Sequence, residues 1–307
     1  MLRINKLVGL VLLTILALNV PFVAAQKKEK SREGKPVLWE QPTDISSRDL
    51  YLGPGGEAMK LNLSSVTFVE KKNGGYSTKY EVRDGSGKRW IAKLGKEAQS
   101  DTAANRLLWA AGYVTEIAYL VPRVEIKGKG TLENVRFEAR PEDVERVGDW
   151  KWTENPFTGT REFQGLKVLM MLLNNWDIKE SNNEILAVRG SNGAPELHYI
   201  ISDLGGSLGK TGGIFKRTRN KPEDFVKAEF VEGVKNGRVD FNYGGKNKAL
   251  FDDITVEQAR WVGNLLSGLS DAQLRDAFRA ANYTEQEIED YTQAMRARIN
   301  ELVKLQG

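Results

Sequence analysis

The 307-residue chain contains no cysteine and a single histidine, His198. The absence of cysteine excludes disulfides and thiol catalysis, without fixing the cellular compartment. One histidine cannot build a multi-histidine metal site. A Ser-His-Asp hydrolase would have to use His198, and no nucleophile elbow accompanies it in the sequence. These absences remove several common kinds of reactive site from consideration.

A strong excess of charge of one sign is also missing. The formal net charge is +4, and loss of an N-terminal segment containing Arg3 and Lys6 would lower it to about +2. A nearly neutral chain argues against broad nucleic-acid binding. One dense basic run, at residues 216–221, is typical of solvated loop charge, and binding of an acidic substrate is the alternative.

The chain has an N-terminal apolar run, residues 7–18, which is too short to span a membrane comfortably. Two basic residues precede the run, and Val23 and Ala25 occupy the small-residue positions of a cleavage site. This pattern predicts a signal peptide of residues 1–25, cut after Ala25. We therefore expect a periplasmic or secreted bacterial protein with no stable membrane span after cleavage.

Residues 177–182 read Asp-Ile-Lys-Glu-Ser-Asn, and Asp203-Leu204-Gly205 follows some twenty residues later. These segments supply a charged base, a lysine, a metal-binding amide and a second metal-binding carboxylate. Their order is the order that a phosphoryl-transfer site needs. The first pattern alone is also compatible with a polar turn, so its surroundings matter.

The surroundings of the motif predict a helix before it and a hairpin after it. Apolar residues in 163–173 recur at helical spacing and stop at two asparagines. Residues 184–201 read as two short strands joined by a glycine-containing turn. Such a hairpin would return Asp203 to the loop that carries Asp177 and Asn182.

Upstream, strands are predicted at residues 66–70, 79–83 and 89–93. The turn between the first two contains Gly74 and Gly75. Glycines let backbone N–H groups approach phosphates closely, although the same pair is typical of an ordinary hairpin turn. Lys93 is stronger evidence, because an ammonium at the end of a buried strand can hold the α and β phosphates of a nucleotide.

Lys93 would need a carboxylate to fix its position. The predicted helix at residues 97–111 carries Glu97 and Asp101 one turn apart, and Glu97 is the preferred partner. Glu116 is a third possibility. Acids at the start of a helix also stabilise it without any further role.

Together these features resemble the protein-kinase-like superfamily over residues 66–213, roughly half of the chain. The resemblance implies an α+β, two-lobed fold, with a small antiparallel-sheet N-lobe (48–140) and a mainly helical C-lobe (141–307). A disordered or extended linker at residues 26–47 would precede the lobes. The resemblance also implies ATP with Mg²⁺ or Mn²⁺, and transfer of the γ-phosphoryl group to an unknown hydroxyl acceptor.

The catalytic half of the resemblance involves four residues. Asp177 matches the catalytic-loop base, and Lys179 matches the lysine that offsets charge near the γ-phosphate. Asn182 and Asp203 match the ligands of the divalent metal ion, and their hard oxygen atoms suit Mg²⁺ or Mn²⁺.

The nucleotide-binding half of the resemblance is carried by the first three predicted strands and the following helix. Lys93 matches the lysine of the third strand, and Glu97 or Asp101 matches the helix acid that pairs with it. Gly74 and Gly75 would lie over the phosphates.

Several positions depart from ordinary protein kinases. Asn175 and Trp176 stand where His and Arg are usual, and Leu204 replaces Phe. The glycine turn is not G-x-G-x-x-G, and no Ala-Pro-Glu motif is evident. These departures favour atypical branches, namely bacterial toxin-like kinases, secretory-pathway kinases or phosphoinositide-kinase-like folds. Because free ATP is scarce outside a bacterial cytoplasm, a non-catalytic kinase-fold binding or scaffolding protein is the alternative.

Overall fold

The structure is a computed structural model that describes residues 33–74, 77–213 and 216–307. The predicted signal peptide, 1–25, and residues 26–32 of the expected linker lie outside these ranges. The rest of that segment is folded, since β1 (Lys35–Val37) joins a sheet and Leu38 is buried. None of the helices in the described ranges has the length and apolar character needed to cross a bilayer.

The N-lobe is a five-stranded barrel with one helix. Its elements are β2 (Val66–Lys72), β3 (Lys79–Arg83), β4 (Arg89–Lys93), α1 (Glu97–Ala110), β5 (Ala118–Lys127) and β6 (Gly130–Ala139). The strands follow the order β2-β3-β4-β6-β5. Neighbours in this order are antiparallel, as the sequence predicted for the N-lobe sheet. A parallel pairing of β2 with β5 closes the barrel, which local sequence patterns do not reveal.

Two separate cores fill the molecule. Alternating apolar side chains of the barrel, including Trp90 and Phe137, form the smaller one. The apolar stripe of α1, including Leu107 and Leu108, packs instead into the larger core of the C-lobe. The N-lobe helix therefore bridges the two lobes, and it presents its first turns to the space between them.

The C-lobe begins with β7 (Glu145–Gly148), α2 (Arg161–Leu172), β8 (Asn183–Arg189) and β9 (Pro195–Ile201). Strands β7, β8 and β9 are antiparallel neighbours, and β1 adds to β9 in parallel. The lobe continues with α3 (Pro222–Lys227), β10 (Val231–Lys235), β11 (Arg238–Phe241), α4 (Val256–Ser267), α5 (Asp271–Arg279) and α6 (Glu285–Lys304). The two-lobed α+β architecture is confirmed, with more sheet in the C-lobe than the sequence indicated.

The last three helices each begin with the same kind of N-terminal cap. Thr255, Ser270 and Thr284 each form a complete capping box at the start of α4, α5 and α6. Helix α6 then reaches the centre of the lobe, where buried Arg298 donates to the Leu172 carbonyl and to Asn174 Oδ1 at 2.9 and 3.0 Å. These bonds satisfy the C-terminal end of α2, so the loop that follows leaves from a fixed point.

Candidate functional site

A cleft of about 550 Å³ opens where β4, the start of α1, the loop after α2 and the end of β9 converge. Its volume lies within the range of small-molecule sites, roughly 300–1,000 Å³. All four residues predicted for catalysis or metal binding line it, namely Asp177, Lys179, Asn182 and Asp203, and so do two of the acids considered as partners of Lys93, Glu97 and Glu116. Folding therefore brings segments more than a hundred positions apart to one concave surface.

Lys93 is the buried centre of the charge network below the cleft. Its side chain is 1% exposed, and Nζ lies 2.8 Å from Asp101 Oδ2, 3.0 Å from Asp203 Oδ1 and 3.9 Å from Glu97 Oε2. Burial lowers the pKa of Lys93, but the carboxylates of Asp101 and Asp203 outweigh burial and raise that pKa above its ordinary value. The ammonium is thus charged and held on two sides.

The preference for Glu97 as the carboxylate nearest Lys93 is corrected by this geometry, because Asp101 is closer. The lysine side chain runs alongside α1, so its ammonium meets the helix one turn after Glu97. Glu97 instead accepts hydrogen bonds from Ser77 Oγ and pairs with Arg219. The third possibility, Glu116, forms no ion pair with Lys93 in the described structure and pairs instead with Arg136, Arg140 and Arg146. Arg136 also lies 3.5 Å from Asp101 and so links these arginines to the charge network of Lys93.

The β8–β9 hairpin places Asp203 next to Asn182, since Ser202 N donates to the Asn182 carbonyl at 2.7 Å. Asp203 Oδ1 accepts from Lys93 and from Gly205 N at 3.0 Å. Burial raises the pKa of Asp203, but the Lys93 ammonium and the Gly205 N–H outweigh it and hold that pKa below its ordinary value. The Asp203 carboxylate is therefore ionised at neutral pH.

The donor atoms at this point fit a hard divalent cation. Within the described part of the chain, Asp203 Oδ2 accepts no hydrogen bond. Asn182 uses its Nδ2 on the Asp177 carbonyl at 2.8 Å, which leaves its amide oxygen available. Among the described residues, no group of three or more His, Cys, Asp or Glu side chains is arranged to hold a metal ion by itself. Mg²⁺ or Mn²⁺ would accordingly complete its shell with phosphate oxygens and water, as Mg²⁺ commonly does.

Two glycines after Asp203 allow close packing here, Gly205 against the N-lobe helix α1 and Gly206 against the loop that carries Asp177. A Cβ on Gly205 would lie 2.6 Å from Glu97 Cβ, and one on Gly206 would lie 2.9 Å from Asp177 Cβ. Neither distance is possible for real side chains without movement of the backbone. The two glycines that follow Asp203-Leu204 are thus required for packing.

Asp177 is held by two lysines, of which the sequence indicated only one. Lys179 Nζ lies 3.0 Å from Oδ2, and Lys246 Nζ lies 2.5 Å from Oδ1. Asp177 N donates to Asn175 Oδ1 at 3.1 Å, so the unusual asparagine orders the loop. Lys246 sits 69 positions after Asp177 in a Gly-Gly-Lys-Asn stretch that matches none of the motifs considered. Only the fold reveals it.

The glycine turn contributes less than the sequence indicated. Gly74 has φ +102°, a left-handed backbone that favours glycine, but it does not line the cleft. Gly75 lies outside the described residues. Among the described residues of this hairpin, Lys72 and Lys79 line the cleft, at the end of β2 and the start of β3. These two lysines therefore add positive charge to the lining of the cleft.

Glu138 lies at the inner end of the cleft, where β6 leaves the barrel. Arg136 pairs with it, and Arg140 Nη2 lies 2.8 Å from its Oε2. Burial raises the pKa of Glu138, but the two guanidinium groups outweigh burial and hold that pKa well below its ordinary value. The chain segment that links the two lobes after β6 therefore carries charged side chains.

A second ionic group closes the same end of the cleft. Arg146 lies on β7, and it pairs with Glu116 and with Glu184 of β8. All three residues line the cleft. Charged groups therefore occupy a region that is mostly apolar in typical cofactor sites.

We expect Glu138 to make the protein less stable in acid. Because folding depresses its pKa, its contribution is present above the ordinary carboxyl pKa of 4.5 and is lost as pH falls through the lower folded value. Urea midpoints measured between about pH 3 and pH 7 should fall below about pH 4.5 for the wild type. Glu138→Gln should have a lower midpoint at pH 7 and a flatter acid limb. Parallel acid limbs for the two proteins would contradict this account.

No protein-family model matches the chain, and no curated protein matches it. Three solved kinase structures are similar to it. The Helicobacter pylori proinflammatory kinase CtkA is 11% identical, with 77% of this chain and 92% of that chain covered and a TM-score of 0.43. The Chaetomium thermophilum Rio2 kinase, solved as an ADP/Mg²⁺-phosphoaspartate complex, is 12% identical, with coverages of 78% and 72% and a TM-score of 0.33.

The golgi casein kinase is 10% identical, with 80% of this chain and 73% of that chain covered and a TM-score of 0.42.

The fold is identified from the arrangement of the described residues. A strand lysine pairs with a helix acid, a polar loop follows a buried helix, and a hairpin returns an Asp-Leu-Gly to that loop. The chain has a two-lobed, protein-kinase-like fold.

Proposed function

We propose that the protein is an exported kinase-like phosphotransferase that moves the γ-phosphoryl group of ATP to a hydroxyl acceptor. The supporting observation is the convergence of Lys93, Asp177, Asn182 and Asp203 on one cleft. Lys93 lies beneath it and the other three line it. Structural ion pairs also cluster in proteins, but here the cluster combines a buried ammonium, a free carboxylate oxygen and an ordered acidic loop in a concave site.

Each group has a distinct part in the proposed transfer. The acceptor oxygen forms a bond to the γ-phosphorus while the bond to the β–γ bridging oxygen breaks, and Asp177 takes the acceptor proton. Lys179, 3.0 Å from Asp177, offsets negative charge beside the transferred group, and Lys93 supports the phosphates from the N-lobe. Asp203 and Asn182 would hold a divalent ion, which would supply positive charge beside the phosphates.

A non-catalytic kinase-fold protein of the cell envelope is the second candidate. The observation that favours it is the ionic group at the inner end of the cleft, where Arg146 joins Glu116 and Glu184. A nucleotide base would have to lie against charged side chains there. This candidate predicts either no nucleotide binding or binding without turnover.

Export rests on the sequence of residues 1–25, with cleavage after Ala25. We expect the mature protein, secreted from a bacterial host, to begin at Gln26. Mass spectrometry of its N-terminal peptide tests this, and a chain that retains Met1 would contradict it.

We expect Asp177→Asn to lower turnover by about 10²- to 10⁴-fold, the usual range for loss of a general base. Turnover would be measured as phosphate release from ATP and as ³²P incorporation into the protein, with Mg²⁺ and with Mn²⁺. The asparagine keeps the size of the side chain but cannot accept the proton. Asp240→Asn, on the exposed side of β11, is the matched control and should be unchanged.

Stabilisation by ATP should survive in Asp177→Asn, because the metal ligands and Lys93 remain. A wild-type protein that binds ATP but releases no phosphate would instead establish the non-catalytic candidate.

A further inference from the structure

A segment far along the chain is built onto the catalytic loop. Residues 243–247, here called the clasp, follow β11 and lie against residues 175–178. The Tyr243 O–H is shared between the residue-175 carbonyl at 3.1 Å and the Lys246 carbonyl at 3.0 Å. Lys246 N donates to the residue-176 carbonyl at 2.9 Å, and Asn247 Nδ2 donates to the residue-178 carbonyl at 2.8 Å. The clasp therefore fixes the backbone on both sides of Asp177.

The one carbonyl of this loop that the clasp does not bind is that of Asp177, which accepts from Asn182 Nδ2 at 2.8 Å. Four consecutive carbonyls are thus satisfied, three of them by the clasp. Hydrogen bonds to successive carbonyls restrict the conformations that a loop can adopt.

The clasp sequence is suited to close approach. A Cβ on Gly244 would lie 2.9 Å from the Thr211 carbonyl oxygen, and one on Gly245 would lie 2.2 Å from the Tyr243 ring. Asn247 has φ +55°, in the left-handed region that asparagine tolerates better than most residues. Gly-Gly-Lys-Asn thus forms a tight turn that delivers one side chain, Lys246, into the cleft.

Lys246 and Lys179 each take one oxygen of the Asp177 carboxylate. Both lysine side chains are 43% exposed, whereas that of Asp177 is 15% exposed. Each carboxylate oxygen can accept two hydrogen bonds, so an acceptor hydroxyl can still donate to Asp177 while both lysines stay in place. The arrangement therefore orients the carboxylate without blocking it.

We propose that Lys246 is a positioning residue for Asp177, supplied by the clasp from outside the motif region. This inference rests on the proposed phosphotransferase function. Lys246 holds the carboxylate in one rotamer, and its two remaining N–H groups add positive charge where the transferred group would arrive. Lys179 contacts only Oδ2 of Asp177, so Lys246 is the lysine that holds Oδ1.

The test compares Lys246→Met, Lys246→Arg and Lys248→Met in the full chain without its predicted signal peptide. Methionine keeps the aliphatic stem and removes the charge, whereas arginine keeps the charge. Lys248, two residues further on, begins a short 3₁₀ helix and serves as the control. Phosphate release from ATP gives kcat and KM, and thermal unfolding with and without Mn²⁺ and ATP reports folding and nucleotide binding.

We expect Lys246→Met to lower kcat about 10- to 100-fold, less than the loss of a direct transition-state donor, with KM for ATP changed by less than about threefold. Lys246→Arg should recover part of kcat, and Lys248→Met should match the wild type. The nucleotide-induced shift of the unfolding midpoint should be the same in all four proteins.

Equal kcat for wild type and Lys246→Met would overturn the inference while leaving the phosphotransferase function intact. A rise in KM alone, or a large drop in the unfolding midpoint of Lys246→Met without nucleotide, would also overturn it, because the role would then be binding or structural. A wild-type protein that binds nucleotide without turnover would overturn the inference as well, because there would be no reaction for Lys246 to assist. Absence of any nucleotide-induced shift in the wild type would refute the proposed function itself.

Discussion

Asp203→Ala is expected to abolish the stabilisation of the protein by Mn²⁺ and ATP. Under the proposed function, Asp203 would offer its unpaired Oδ2 to the metal, and through Oδ1 it holds Lys93, which would bind the phosphates. Removing this one carboxylate would therefore remove a metal ligand and loosen a phosphate ligand together. Ligand at about 100 times its dissociation constant adds roughly 2.7 kcal/mol, which corresponds to several degrees in the unfolding midpoint.

Thermal unfolding of the wild type and of Asp203→Ala, with metal alone, ATP alone and both, measures this effect. Only the combination should shift the wild-type midpoint, and the variant should not respond. Asp240→Ala controls for the loss of an unrelated exposed carboxylate. A variant that keeps the full shift would show that Asp203 is not a metal ligand. A wild type that responds to neither ATP nor GTP would favour the scaffolding protein.

Asp101→Ala is expected to reduce the free energy of unfolding by about 3–5 kcal/mol, the usual loss when one partner of a buried ion pair is removed. The side chain is 0% exposed, and its carboxylate lies 2.8 Å from Lys93 Nζ and 3.5 Å from Arg136 Nη2. It also accepts from Leu204 N at 3.3 Å. The alanine variant leaves two cations buried with fewer partners, in a protein whose total stability is on the order of 5–15 kcal/mol.

Urea unfolding at pH 7 compares Asp101→Ala, Asp101→Asn and Glu97→Ala. The asparagine keeps the shape of the side chain and can still accept from Leu204 N, so it isolates the loss of charge and covers the case in which the alanine variant is insoluble. Glu97→Ala should cost less, because its partner Arg219 is partly exposed and can turn to water. Equal losses for Glu97→Ala and Asp101→Asn would show that the two acids share the lysine evenly.

Local sequence patterns were enough to predict the elements that carry the site. The helical spacing before Asn174 predicted α2, and alternation with glycine turns predicted the β8–β9 hairpin. Capping-box sequences mark the residues at which α4, α5 and α6 begin. These features depend on interactions between residues three or four positions apart or on adjacent strands, so they can be read from the chain directly.

The sequence by itself determined the α+β, two-lobed architecture and the order of acids, amides and lysines along the chain. Tertiary structure decided which of these groups meet. Lys93 pairs with Asp101 and Asp203, the second of them 110 positions away, and Asp177 receives Lys246 from 69 positions away. Such contacts arise from how elements pack, and a local pattern holds no information on distance between elements. The closure of the barrel by β2 and β5 was unpredictable for the same physical reason.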